Sequence, residues 1–155
     1  MRFAVACDHA GFPLKDHVTR CLEKLGHEVL DLGTNSTASV DYPDYAAAAS
    51  NAVLDGRAER AVVLCGSGQG ASIAANKIPG IRAATCHDTY SAHQVVEHDD
   101  VNVLCLGARI VGPALVDELL AAFAGAKFTE EERHRRRLGK IQALEDGSTT
   151  RTPTA

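Results

Sequence analysis

Five short apolar runs alternate with segments of helical period, and that alternation constrains this chain's fold more than any other feature. The runs are FAVAC (3–7), HEVLDLG (27–33), RAVVLC (60–65), IRAATC (81–86) and VNVLCLG (101–107). Each is short and apolar, which reads as a buried strand. Between them, Leu14, Val18, Cys21, Leu22 and Leu25 recur at helical spacing, and Gly26 ends that helix. Pro43 opens a second helix through the Ala-rich residues 44–54, and Gly56 closes it. Residues 71–77 read as the first turns of a helix stopped by Pro79-Gly80, and residues 91–98 as another. Pro113 starts a helix with Leu115, Val116, Leu119, Leu120 and Phe123 on one stripe. The last helix is expected from Thr129, with Glu132 three residues on as a capping box and Leu138, Ile141 and Leu144 as its seam. Five apolar strands separated by helices imply an α/β protein whose mostly parallel sheet is covered on both faces.

The length of 155 residues suits a single domain. That domain is expected over residues 1–145. The last ten residues, DGSTTRTPTA (146–155), hold no large apolar side chain and read as a disordered tail. A net charge of -4, no Trp and 5% aromatics argue against a nucleic-acid partner. No apolar run approaches the roughly 20 residues of a membrane span. The N-terminus lacks the long apolar stretch of a signal peptide, and the five cysteines (7, 21, 65, 86 and 105) form no CxxC pair. Free thiols in a reducing cytoplasm are therefore expected, with no metal site. Cys21 and Cys105 read as core residues.

Parallel α/β sheets bind ligands beyond the carboxyl ends of their strands. Polar and reactive residues gather there: Cys7-Asp8-His9, CGSGQGAS (65–72) and Gly107-Ala108-Arg109. Three glycines in five positions (Gly66, Gly68, Gly70) let backbone N–H groups point inward toward an anion. The same loop is also compatible with a bare tight turn. It is not GxGxxG, it lacks the Gly-Lys of a Walker loop, and Ala71 stands where a cysteine phosphatase needs Arg. Cys65 stands at the loop's edge, positioned as nucleophile or base, though its position equally suits a core thiol. Asp8-His9 and His98-Asp99 pair histidines with carboxylates and are read as two proton-transfer candidates at the sheet's functional edge. Arg133 and Arg137, four apart on one helical face, form a phosphate clamp if they join Arg109, and a solvated basic face if they do not.

The segments CDHAGFPLK (7–15), VDYPDYA (40–46), LCGSGQGASIAANKIPGIRA (64–83), HDDVNVLCLGARIVG (98–112) and RHRRR (133–137) together resemble ribose-5-phosphate isomerase of type B. That family also holds galactose- and allose-phosphate isomerases. The resemblance runs to about residue 145 and implies a three-layer α/β/α Rossmann-like sandwich. It implies a homodimer or dimer of dimers with active sites shared between subunits, no metal or other cofactor, and a place in the pentose phosphate pathway. Carried over, Cys65 matches the base that moves a proton between C1 and C2 through a cis-enediolate. Ser67 matches a position near the ring oxygen or O1, and His98 the residue that assists ring opening from the neighbouring subunit. Asp8, His9 and Tyr42 match sugar-binding positions. The amides of Gly66, Gly68 and Gly70 match the enediolate site, and Arg109, Arg133 and Arg137 match phosphate contacts.

Two features bear on the choice of substrate. Asp99 stands where many relatives carry Asn, and an ionised carboxylate accepts but cannot donate a hydrogen bond. Cys65 with Ala71 places the chain in the cysteine branch, since the other branch has Glu at the position of Ala71. A six-carbon sugar phosphate or an unphosphorylated rare sugar are alternative substrates. A non-catalytic sugar-phosphate sensor is the reading from outside the enzymes, and it leaves Cys65, Ser67 and His98 without a purpose.

Overall fold

A computed structural model describes residues 1–148. The strands are β1 (Arg2–Cys7), β2 (Glu28–Asp31), β3 (Arg60–Cys65), β4 (Ala83–Thr85) and β5 (Val103–Gly107). The helices are α1 (Phe12–Lys24), α2 (Tyr42–Leu54), α3 (Gln69–Ala75), α4 (Thr89–Asp99), α5 (Pro113–Gly125) and α6 (Glu132–Glu145). The sheet order is β2-β1-β3-β5-β4, and every pairing is parallel, not merely most. The chain leaves β1 toward β2 on one side and returns to β3 on the other. The carboxyl ends of β1 and β3 therefore flank the switch point where such sheets form a ligand crevice.

Strand alternation divides the interior in two. Phe3, Val5, Val62, Leu64, Leu104 and Leu106 face a core of large side chains from α1, α4 and α5, including Val18, Val96 and Phe123. Ala4, Ala6, Ala61 and Val63 face the alanines of α2 and α3, among them Ala46, Ala49, Ala71 and Ala75. Small residues on both sides let α2 and α3 lie close to the sheet, which brings their first turns to the carboxyl edge. Gly26 and Gly56 follow α1 and α2 with φ of +83° and +71°, the left-handed geometry that ends a helix.

Several expected boundaries move. β2 and β4 are the edge strands and keep only the residues that pair with their single neighbour. The capping box at Thr129 does not form. α6 begins at Glu132 behind Glu131, without a side-chain cap. The Thr129 hydroxyl instead donates to the Glu97 carbonyl of α4 (3.0 Å) and meets His134 Nδ1 (2.7 Å). The α6 seam is open: Ile141 is 45% and Leu144 61% exposed. Within the tail expected from residue 146, the Gly147 and Ser148 N–H groups donate to the Leu144 and Ala143 carbonyls and finish α6. The rest of that tail lies outside the described residues. All five cysteines are free, and Cys21 is only half-buried while Cys105 is fully so. No helix among the described residues is long and apolar enough to cross a membrane.

Candidate active site

The β1–α1 turn is built by Asp8. Its Oδ1 accepts from the N–H groups of Ala10 (2.9 Å) and Gly11 (2.8 Å), and its own backbone N–H bonds to Leu64 O on β3. Gly11 is required here, since any Cβ would overlap the Leu64 carbonyl. The turn thus fixes His9 beside the end of β3. His9 Nδ1 lies 3.2 Å from both the N–H and the carbonyl of Val40, one bond forming according to the tautomer.

β3 ends at Cys65, which is 8% exposed and opens onto a cleft of about 360 Å³. Asp8, His9, Gly66, Ser67 and Arg109 line the same cleft. The β5–α5 turn closes its far side: Ala108 N–H donates to Cys65 O and Arg109 N–H to Gly66 O. Gly68 adopts φ +81° ahead of α3, where a Cβ would meet Thr85 and the β5 backbone. The first helical bond runs from Ser72 N–H to Gly68 O, so the Gly70 and Ala71 N–H groups stand outside the helix's own ladder. Such free N–H groups stabilise negative charge on a bound oxygen. Tyr42, at the start of α2, lays its ring over Gly70.

The second half of the expected site lies elsewhere. α4 runs back along the sheet after β4, so His98 and Asp99 stand at the amino end of β5, not at the carboxyl edge with Asp8-His9. Arg82, at the start of β4, confirms the placement by donating Nε to the Asp99 and Asp100 carbonyls (3.1 and 2.8 Å). α6 packs on α4 at this same end and carries Arg133 and Arg137 with it. Arg109 is at the opposite end, about 13 Å away by the rise of β5 alone. One chain therefore does not unite these arginines with Arg109, nor His98 with Cys65. The sequence suggested one edge because each pair adjoins a strand, and only chain direction tells which end.

Reading from sequence also missed His134. Its side chain is buried (1% exposed) and its ring lies 4.2 Å from that of His98. Burial pushes its imidazolium pKa down, and the nearby His98 and Arg133 add to this. A signal existed: His134, Leu138 and Ile141 continue one helical stripe, inside a run read only for its charge. Lys15 was missed as well. It is buried, with Nζ bound to Asp31 Oδ2 (2.8 Å), Thr34 O (3.0 Å) and Asn35 Oδ1 (3.3 Å). It pins the segment that leads to Val40 and Tyr42.

The family described as Ribose/Galactose Isomerase matches residues 3–141. The chain belongs to the ribose/galactose isomerase family. Ribose-5-phosphate isomerase B of Escherichia coli K12 is 43% identical over 144 residues, spanning 93% of this chain and 96% of that one. A D-erythrulose-4-phosphate isomerase of Pectobacterium atrosepticum is 40% identical, over 83% and 85%. The solved ribose-5-phosphate isomerase B of Clostridium thermocellum superposes with a TM-score of 0.92 at 43% identity, covering 96% of this chain and all of that one. The fold is thus the Rossmann-like α/β sandwich of these isomerases, and membership of the family makes sugar isomerisation the class of chemistry.

Proposed function

We propose that this family member interconverts D-ribose 5-phosphate and D-ribulose 5-phosphate through a cis-enediolate. The carrying observation is that Cys65, Ser67, Asp8, His9 and Arg109 line one cleft beside an N–H-rich loop. The Cys65 thiolate takes the proton from C2 of the open-chain aldose. The electron pair forms the C1–C2 double bond, and negative charge moves to O1, facing the amides from Gly66 to Gly70. The thiol returns its proton to C1 as the O2 proton passes to O1 and C2 becomes the carbonyl. No oxidant or reductant enters. One oxyanion donor is worth about 2.7–4 kcal/mol in other enzymes, so the loop supplies a large share of the rate.

Ser67 lies near the ring oxygen or O1, and Asp8 and Tyr42 hold sugar hydroxyls. His9 and Arg109 meet the phosphate from one chain. His98, Asp99, Arg133 and Arg137 belong to the opposite end of the sheet, so a second copy of the chain completes each site. Homodimerisation, or a dimer of dimers, follows from that reading.

Isomerisation of ribose 5-phosphate by the purified protein, with Cys65→Ala alongside, tests the proposal. Turnover by the parent and none by a folded variant supports the reaction and its base. Near-normal activity of the variant rejects Cys65 as the base. A second reading, a four-carbon substrate, is favoured by the D-erythrulose-4-phosphate isomerase relative. Comparing kcat/KM on four-, five- and six-carbon aldose phosphates decides between them.

A further inference from the structure

The Thr129–His134 contact lies outside the machinery assigned above. The Thr129 hydroxyl donates to Glu97 O at 3.0 Å. Only its lone pairs then remain for His134 Nδ1, 2.7 Å away, so that nitrogen carries the proton. Nε2 is left as a buried acceptor with no partner among the described residues. The His134 ring stacks on His98, tilted by 34°.

We infer that Thr129 and His134 are positioning residues for His98: the hydroxyl fixes the His134 proton on Nδ1, the buried Nε2 without a partner keeps the ring neutral, and that ring holds His98 for ring opening. This rests on the role of His98 proposed above. The groups around the pair explain why the neutral state matters. Arg133 and Arg137 on α6 already supply positive charge, while Glu131, just ahead of α6, pairs with Arg133 and Glu97 of α4 with His93. A second proton on His134 would add an unpaired buried charge against His98. Held neutral, His134 leaves His98 as the ring that gains and gives up the proton. Deletion of the hydroxyl at constant shape removes the lock without opening a cavity.

The test combines Thr129→Val with Thr129→Ser, which restores the hydroxyl. Ribulose 5-phosphate cannot close a five-membered ring, because its 5-oxygen is esterified, so its consumption needs no ring opening. Thr129→Val is expected to slow ribose 5-phosphate turnover about tenfold or more, the scale of a small misplacement at a reacting centre. The initial rate on ribulose 5-phosphate stays at the parent value, and Thr129→Ser behaves as the parent in both directions. Long-range 15N–1H correlation spectra report the tautomer directly: Nδ1–H at His134 in parent and Thr129→Ser, Nε2–H or a mixture of tautomers in Thr129→Val. An Nε2–H tautomer in the parent overturns the inference, as does equal loss, or no loss, in both directions. A parent inactive on both sugars overturns the reading of His98 and this inference with it, while the spectrum still shows whether the lock exists.

Discussion

The ring of Tyr42 occupies the space a side chain at Gly70 would need: a Cβ built there stands 2.7 Å from Tyr42 Cζ. Glycine in the loop's third place therefore serves α2 as much as α3. Gly70→Ala is expected to push the half-exposed Tyr42 ring aside while the fold persists. Displacements of this kind cost about ten- to a hundredfold in kcat/KM. Steady-state kinetics with a circular-dichroism check of folding measure it, and Gly70→Ala with parental kcat/KM rejects the placement of Tyr42 over the substrate.

Lys15 gives a second expectation. Its buried ammonium ties Asp31, Thr34 and Asn35 together, and the chain continues from there to Val40 and Tyr42. Hydrogen bonds to charged groups contribute about 1.5–3 kcal/mol each to stability. Lys15→Met removes them and is expected to lower the urea midpoint and raise KM, with a smaller change in kcat. Faster hydrogen exchange confined to residues 33–41 locates the effect, and uniform exchange across the chain contradicts it.

How far the sequence reaches can be read from these same residues. The five strands and the cluster after β1, β3 and β5 were legible because buried strands and glycine loops impose local patterns. His98 and Arg133 were legible as residue types but misplaced, since adjacency to a strand does not say which end of a sheet a helix returns to. Lys15 and His134 escaped because their partners, Asp31 and Thr129, become neighbours only once β2 and α6 dock. Thr129 shows the rule in reverse: its sequence context favours a cap, yet the docked Glu97 carbonyl and His134 ring claim the hydroxyl.

Acid should weaken the fold in a defined window. His27 and His134 both have pKa values lowered below the ordinary 6.5, first by burial, with the N-terminus adding at His27 and His98 at His134. Each is held neutral in the folded chain, and the unfolded chain binds the proton more readily. Their contribution is full above pH 6.5 and is lost as pH falls from there toward the depressed folded values. Urea midpoints at pH 7.5, 6.5 and 5.5 should fall in that order. His134→Gln should flatten the decline, and an unchanged slope removes His134 from the account.

Thiol chemistry should be selective. Burial pushes the Cys7 and Cys86 thiols up to about 11, and Cys21, beside the Asp117 carboxylate, also to about 11. Cys105 is raised further by burial. These four stay protonated at pH 8 and react slowly. Cys65 alone opens onto the cleft of Asp8 and Arg109. Iodoacetamide at pH 8 is expected to modify Cys65 first, with activity lost in step, and substrate should protect it. Peptide mapping decides this, and early labelling at Cys21 counts against it.

The separation of His98 from Cys65 along the sheet has a genetic consequence. If each site takes Cys65 from one chain and His98 from another, a chain lacking Cys65 and a chain lacking His98 are each dead alone. In a mixed dimer, one of the two sites receives both intact residues. Random exchange makes about half the dimers mixed, so an equal mixture regains about a quarter of parental activity. Two loss-of-function alleles of this one gene would then complement each other in the same cell when one lacks Cys65 and the other His98, and would not when both lack the same residue.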